Sequence, residues 1–424
     1  MCLFTVVVLA YSRSRAAWVG AFCGYAFLSI AFLWKKFGLR ILFPLLIAGL
    51  LSVPVSIFAG YRLYRLKPVS AEGRFLIWQI SSRMLFEKPW LGIGIDKFKS
   101  RYMYYQADFF SAYPESPFAQ IADDVNVPFS EPLKIAIEQG VTGFVVFSSI
   151  LLSALLPNRK FFKQNERQRF GREQTCYIFS AIFVTLLLLS CFSYPFSYIQ
   201  FLFLLVTCLA ILSCFQPGIK VFLYNRNLVR LSFIVFVILV VCISFVAIQY
   251  TFYQKKLHSN TFNVALNKLE AALPAFRAME KVMKADPNFL ISYSNYLSMN
   301  GDNRASIEKL RASLSFHASY KAILELGRRY ELIDETESAH ENWELASLMI
   351  PSRFEPLYLR IWNYHRHGLY RQADSLTAIF LQKARKVESI RIDVMTRDIR
   401  RWEQLRMSNS PISPFSPFEG GRGM

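Results

Sequence analysis

Three arginines in this 424-residue chain have the type and spacing to bind an anion. Arg13 and Arg15 stand beside the first apolar run, and Arg74 stands between two later runs, four residues before Trp78. The planar guanidinium fork binds two phosphate oxygens while keeping its charge, which suits a diphosphate ligand. The sequence therefore predicts that at least one of Arg13 and Arg15 faces an anionic ligand, with Arg74 as a further cation, and the alternative is a helix-end arginine that reaches the lipid headgroups.

Three carboxylates in the same part of the chain are candidates for moving a proton. Asp123 and Asp124 are adjacent, and Glu131 precedes an apolar run. Adjacent carboxylates near lipid can have one pKa raised towards neutrality, as a general base requires. Each also has a simpler interpretation. The Asp pair would be a solvated loop, and Glu131 would be a helix N-terminal acid favoured by the helix dipole.

The elements that position these residues are predicted to be membrane helices. The chain is 53% hydrophobic with 39 Phe, and its apolar residues concentrate before residue 251. Residues 1–11 are apolar but lack the basic start and small-residue cleavage site of a signal peptide, so we expect them to be the tail of a span whose earlier part is missing. Further runs near the length of about 20 residues that a span needs lie at 17–34, 38–59, 137–157, 175–193, 195–213 and 230–250. The predicted fold class is all-α, a transmembrane bundle of about seven spans.

Basic residues predict the orientation of this bundle. Lys and Arg cluster in short loops at 35–40, 159–172 and 220–230, whereas the turn at 191–197 is uncharged. The positive-inside rule places the basic loops in the cytoplasm. The loop 60–136 and everything after 251 are then expected in the periplasm of a bacterial inner membrane. These loops and a basic soluble domain account for the net charge of +19, so no nucleic-acid partner is predicted.

Neither the cysteines nor the histidines predict a metal site or another cofactor. The seven Cys form no CxxC pair. No histidine occurs before His258. His365 and His367 point to different faces of a helix, and we expect both, with His340, to be surface residues.

A 34-residue period follows the apolar half of the chain. It relates three sets of residues, which are Tyr296, Tyr330 and Tyr364; Ala305, Ala339 and Ala373; and Phe289, Ile323 and Leu357. A helix–turn–helix repeat of this length with a small residue in its second helix resembles the tetratricopeptide repeat (TPR). The predicted domains are a transmembrane domain at 1–250, a TPR-like α-solenoid at 251–407 that presents a surface for a protein partner, and a disordered tail at 408–424.

Four motifs of the first domain share one predicted side of the membrane. They are Ser14-Arg15-Ala16-Ala17-Trp18, Arg74-x3-Trp78, Pro89-Trp90-Leu91-Gly92-Ile93-Gly94, and Phe129-Ser130 followed by nine residues and Gly140-Val141-Thr142-Gly143. In this order they resemble the O-antigen ligase/polymerase (Wzy/ligase-type) family of membrane glycosyltransferases, over roughly residues 1–250. That family has His where this chain has Phe129. It also has more spans, so we expect N-terminal spans to be missing from this sequence.

The resemblance implies transfer of a glycan from an undecaprenyl-diphosphate carrier to lipid A–core or to another carrier-linked glycan, without ATP or a metal. The family's two functional arginines map onto Arg15 and Arg74, which would stabilise the departing diphosphate. Arg13, Trp78 and Ser130 are further candidates for substrate binding.

Phe129 cannot accept a proton, so three hypotheses remain open for the chemistry. Glu131 or Asp124 acts as the base, the subgroup relies on positioning and charge alone, or the protein is inactive. The alternative function is a non-catalytic membrane scaffold that presents the TPR-like domain to an envelope glycan assembly complex.

Overall fold

The computed structural model describes residues 11, 15–37, 68–155, 166–215, 226–265 and 269–407. Within these ranges the chain is all-helical, as predicted, with fifteen α-helices, two short 3-10 turns and no strand. The helices are α1 (Arg15–Phe37), α2 (Pro68–Glu87), α3 (Phe98–Ala112), α4 (Glu131–Leu155), α5 (Glu166–Phe192), α6 (Ile199–Ser213), α7 (Arg226–Ala265), α8 (Leu269–Met283), α9 (Pro287–Met299), α10 (Asn303–Phe316), α11 (Tyr320–Glu331), α12 (Thr336–Met349), α13 (Glu355–Arg366), α14 (Tyr370–Gln382) and α15 (Ile390–Met407).

Three of these helices are long and apolar enough to cross a membrane. They are the segments Glu131–Ala154, Gln174–Phe192 and Ile234–Thr261, and two shorter apolar helices cover Ala17–Ile30 and Ile199–Ser213. All five overlap runs that the sequence predicts as spans. The predicted run at 38–59, and all but the last residue of that at 1–11, lie outside the described residues. The count of seven spans therefore stays a prediction.

The chain divides into two compact units. The first comprises Met1–Phe98 and Val127–Val229. In it α1, α4 and α6 pack against α5. The approach of α1 to α5 is close because Gly24 has no side chain. A Cβ built there would lie 2.1 Å from the hydroxyl of Thr185.

Two glycine-containing segments of the first unit hold each other through their backbones. α2 ends at Glu87, two residues before Pro89, and the chain then turns against α4. The Ile93 N–H donates to the carbonyl of Ile137 at 3.0 Å, and the Val141 N–H donates to the carbonyl of Pro89 at 2.7 Å. We call the pair of segments, Pro89–Gly94 and Ile137–Thr142, the glycine clasp.

The glycine clasp requires the glycine at position 140 for two reasons. Its φ of 71° and ψ of −175° interrupt α4 with a kink in a region that is essentially restricted to glycine. Its Cβ would also lie 2.1 Å from the carbonyl oxygen of Trp90. Gly92 meets the same constraint from the other side, since its Cβ would lie 2.5 Å from the carbonyl oxygen of Glu138. The glycines of two separate motifs therefore allow one backbone-to-backbone contact.

The second unit comprises Lys99–Asn126 and Arg230–Met424. From α9 to α14 each helix packs against the next. The three periodic tyrosines lie on α9, α11 and α13, and the three periodic alanines lie on α10, α12 and α14. Ala339 and Ala373 are fully buried, which lets paired helices approach closely. These helix pairs are what the 34-residue period predicts, and the TPR-like solenoid remains an interpretation of them.

Side-chain caps set the helix boundaries in this unit. Asp286 accepts hydrogen bonds from the N–H groups of Asn288 and Phe289 at the start of α9. Asp302 and Ser319 cap α10 and α11 in the same way. Such caps satisfy N–H groups that have no partner inside the helix.

The middle of the predicted loop 60–136 belongs to the second unit. Its most buried polar contact is made by Gln106, whose amide donates to the carbonyl of Met349 at the end of α12 at 2.6 Å. The Ala318 N–H donates to the carbonyl of Lys99 at 3.0 Å. Residues 99–126 are therefore built into the fold of the helical repeats. The sequence alone places them in a loop of the transmembrane domain.

The prediction that His365 is a surface residue is wrong. Its side chain is 3% exposed and contacts the rings of Tyr370 and Trp402. His340 is partly buried, stacks on Tyr364 at 4.1 Å and donates to the Asn363 side chain at 2.7 Å. The final helix α15, which supplies Trp402, covers this side of α13, and nothing local in the sequence indicates that packing.

Candidate active site

Arg74 lies at the end of α5, although the two are far apart in sequence. One guanidinium N–H group donates to the carbonyl of Phe192, the last residue of α5, at 2.9 Å. The C-terminal carbonyls of a helix carry partial negative charge, so a cation is stabilised there. The centre of the guanidinium also lies 5.4 Å from the centroid of the Phe129 ring, within the range of a cation–π contact. Arg74 thus has a structural partner as well as the charge that an anion site needs.

Phe129 has a backbone conformation that is rare for its type. Its φ is 53°, in the left-handed region that bulky residues seldom adopt. Trp78 fixes Pro128, the residue before Phe129, because its indole N–H donates to the Pro128 carbonyl at 2.9 Å. The loop before α4 is therefore fixed by α2. Trp78, predicted to bind substrate, makes a structural contact here.

Two tyrosines complete an aromatic group around Arg74. The rings of Phe129 and Tyr194 meet edge to face with centroids 5.3 Å apart, and Tyr194 stacks on Tyr198 at 5.9 Å. A hydrogen bond with Tyr198 and partial burial raise the pKa of Tyr194, against the opposite effect of the Arg74 charge. Tyr194 therefore keeps its proton at neutral pH. Tyr198 is about half exposed.

Glu131 holds the turn that carries the two tyrosines. Its carboxylate accepts hydrogen bonds from the backbone N–H of Phe196, at 3.0 Å, and of Ser197. Its side chain is buried, in the first turn of α4. The 3-10 turn Pro195–Ser197 is thereby tied to the loop that presents Phe129. These bonds give Glu131 a positioning role, and whether it also moves a proton stays open.

The remaining predicted site residues are distributed more widely. Ser130 precedes α4, accepting from the Lys134 N–H at 3.0 Å through its carbonyl and facing the Leu133 N–H at 3.5 Å through its hydroxyl. Arg15 is the first residue of α1, with its side chain outside the described part of the chain, and Arg13 lies outside it altogether.

Asp124 belongs to the second unit, where its carboxylate accepts from the Tyr320 N–H at 3.2 Å and lies 3.8 Å from His317. Its neighbour Asp123 pairs with Arg353 at 3.3 Å. Both acids thus have partners on the helical repeats. Among the described residues no three His, Cys, Asp or Glu side chains are grouped in a way that would hold a metal ion.

The comparison with protein families bears directly on this arrangement. Residues 1–148 match the O-antigen ligase family (Wzy_C). With the apolar helices, this match indicates a multi-pass inner-membrane protein with a glycosyltransferase-like role in O-antigen assembly. No curated protein and no solved structure gives a significant match.

The match to the O-antigen ligase family covers part of the site. It includes Arg74, Phe129 and both segments of the glycine clasp, and it ends before Tyr194 and the end of α5. The helical repeats also lie outside it. The aromatic group around Arg74 thus combines the matched stretch with a turn that follows it.

Tyr194 and Tyr198 are the residues that the sequence analysis missed. They lie in a turn between two apolar helices, where we predicted an uncharged periplasmic turn and no chemistry. The available signal was two tyrosines four residues apart around Pro195, in a turn predicted on the same side of the membrane as Arg74. Tyrosine is common where one end of a side chain is apolar and the other is wet, so this signal is weak alone.

Proposed function

We propose that this protein transfers a glycan from an undecaprenyl-diphosphate donor to lipid A–core, or to another carrier-linked glycan, at the periplasmic face of the inner membrane. The observation that supports it most is the position of Arg74. Within a chain whose first 148 residues match the O-antigen ligase family, this arginine lies over the Phe129 ring, which contacts Tyr194, at the end of an apolar helix. The contacts place a cation beside aromatic faces, which suits a substrate with a diphosphate and a sugar.

In the proposed step the acceptor hydroxyl oxygen attacks the anomeric carbon of the donor glycan. A new carbon–oxygen bond forms, and the bond to the diphosphate breaks with its electron pair leaving on the diphosphate. Arg74, with Arg15, stabilises the charge that develops there, and preorganised charge of this kind is a large contributor to catalysis. The hydroxyl proton passes to the departing diphosphate, because Phe129 offers no acceptor and Glu131 is held by two backbone N–H groups.

The two tyrosines have a separate role in this proposal. A sugar presents C–H groups on one face and hydroxyls at its edge, so it can pack on an aromatic ring while it is hydrogen-bonded from the side. Tyr198 is exposed enough to offer its ring, and Tyr194 stays protonated through its hydrogen bond with Tyr198. Positioning and charge then carry the reaction, which is the second of the three hypotheses left open by the sequence.

Deletion and complementation in the native host test the proposal. Surface glycans would be separated on a gel after deletion of the full gene and rescue with wild type, Arg74→Ala or the matched control Arg83→Ala, which changes an exposed arginine of the same helix. We expect Arg83→Ala to complement and Arg74→Ala to fail. Polymer left on its carrier with bare lipid A–core would indicate a ligase, and cores capped by a single unit would indicate a polymerase.

The scaffold hypothesis makes a different prediction in the same experiment. It is favoured by Phe129, which cannot accept a proton at the position where the family resemblance predicts a histidine. If Arg74→Ala complements while a deletion of the helical repeats does not, the protein acts as a scaffold and the transfer proposal is wrong.

A further inference from the structure

The tip of the glycine clasp presents two large apolar side chains on a fixed backbone. Trp90 and Leu91 are 71% and 79% exposed. The backbone of this turn is hydrogen-bonded to α4. The Thr142 hydroxyl donates to the carbonyl of Trp90 at 2.8 Å. The Gly94 N–H also donates to the carbonyl of Glu138 at 2.9 Å. These side chains are therefore exposed by a rigid turn rather than by a loop that can fold them away.

The partner of this turn is a membrane helix at a definite depth. The apolar run that the sequence predicts at 137–157 begins three residues before Gly140, so on that prediction the kink lies about 5 Å inside the span at a rise of 1.5 Å per residue. The carbonyls of Pro89 and Trp90 are bonded to the residues just beyond the kink. The tip is consequently held at the level where headgroups give way to acyl chains, the depth at which interfacial helices bury their apolar face.

The residues next to this turn are also consistent with a position at the membrane interface. Glu87 and Lys88 directly precede the turn and are exposed, so a charged pair comes just before the apolar pair in sequence. On α4 the exposed side chains next to the clasp are also apolar, Val141 and Val145 among them. Irregular backbone is tolerated in a membrane where protein satisfies its polar groups, and the bonds to α4 do so here.

We propose that the Pro89–Gly92 turn is inserted into the membrane interface on the side where α4 begins, with Trp90 and Leu91 against lipid. Tryptophan is enriched at this level because its ring is amphipathic. The turn directly follows α2, so the insertion fixes the height of that helix, and with it Arg74, relative to the lipid surface. This inference does not depend on the proposed glycan transfer.

Fluorescence quenching in vesicles tests the insertion. The full chain would be reconstituted in phosphatidylcholine–phosphatidylglycerol vesicles, with and without lipid brominated high on its acyl chains. The Trp90 signal is the wild-type emission minus that of Trp90→Phe. The matched control is the Trp402 signal, obtained from Trp402→Phe, because Trp402 is 7% exposed and lies in the helical repeats. We expect the brominated lipid to reduce the Trp90 signal by about twofold or more and to leave the Trp402 signal unchanged.

Each other outcome overturns the proposal and identifies what replaces it. Quenching of the Trp90 signal by iodide in the buffer, without quenching by brominated lipid, would show that the turn faces water. A Trp90 signal insensitive to both quenchers would show that protein covers the turn, either a partner or a second copy of the chain.

Discussion

Replacing Gly140 with alanine should open the glycine clasp. The variant has to place a Cβ 2.1 Å from the carbonyl oxygen of Trp90, a separation that real Cβ atoms do not show, so one of the two backbones must move. It also forces a non-glycine residue into a conformation with φ of 71° and ψ of −175°. α4 would relieve both by becoming helical at this position and releasing the turn.

The expected loss of stability follows from these two effects. A non-glycine residue in this conformation costs about 1–3 kcal/mol. Release of the turn breaks the bonds of Val141 and Thr142 to the turn carbonyls, at about 1 kcal/mol each. The sum is about 3–5 kcal/mol. Because the clasp is a local structure, the loss should appear as local opening of 88–97 before any global unfolding.

Hydrogen exchange of the full chain in nanodiscs measures that opening. Peptides that contain Ile93 and Gly94 should exchange at least a hundredfold faster in Gly140→Ala, since their N–H groups are bonded to α4 in the wild type. Gly73→Ala is the matched control, because a Cβ there meets nothing within 4 Å and α2 should gain up to about 1 kcal/mol. If Gly140→Ala exchanges like the wild type, the clasp does not depend on backbone contact and the reasoning is refuted.

Three further side chains, Glu131, Gln106 and His340, make contacts whose loss can be measured. Glu131→Gln keeps an oxygen that can accept from the 195–197 turn, so transfer activity should stay within about threefold of wild type, whereas a loss of about a hundredfold would identify Glu131 as the base. Gln106→Ala removes a buried amide that binds a carbonyl of α12, and should lower the free energy of unfolding of the second unit by about 1–3 kcal/mol in urea titration. The control Gln120→Ala loses only an exposed 3.4 Å contact, and an equal effect of the two would contradict the argument. His340→Phe keeps the ring stacking but loses the hydrogen bond to Asn363. It tests how the stability of the second unit depends on pH. Burial lowers the pKa of His340 from 6.5 to about 4, so between these values the unfolded state binds more protons and acid destabilises the wild type. From pH 7.5 to pH 5 the free energy of unfolding of the wild type should fall by about 2 kcal/mol more than that of the variant. If the difference in free energy of unfolding between the two proteins does not change with pH, His340 is not the cause.

The sequence predicts local structure well where one signal decides it. α2 ends at Glu87, two residues before Pro89, as the missing N–H of proline favours. The 34-residue period correctly places its tyrosines and alanines on alternate helices, because a repeat fixes which residues face each other.

The sequence does not predict contacts between distant segments. The bond from Arg74 to Phe192 joins residues 118 positions apart, and no local pattern marks either as the partner of the other. Gln106 and Met349 are 243 positions apart, so the sequence assigns the segment 99–126 to the transmembrane domain that surrounds it in the chain. Glu131 likewise matches a helix N-terminal acid, and its bonds to the 195–197 turn become visible only when α4 and α5 are packed together.

Phe129 illustrates a third kind of difference. In the sequence it is a replaced histidine, which leaves the chemistry open. In the structure it is a strained residue whose ring contacts both Arg74 and Tyr194. The ring makes an aromatic contact with both and offers no proton acceptor, which is why the proposed mechanism depends on charge and positioning.

The most direct test of glycan transfer at Arg74 is a reaction of purified components. The full chain would be given an undecaprenyl-diphosphate-linked glycan and lipid A–core in detergent micelles, and the product separated on a gel, with thermal stability recorded for each variant. Arg74→Ala should lose about a hundredfold or more of the rate while keeping its melting temperature within a few degrees of that of Arg83→Ala. A rate for Arg74→Ala equal to that of Arg83→Ala, at equal stability, would contradict the account.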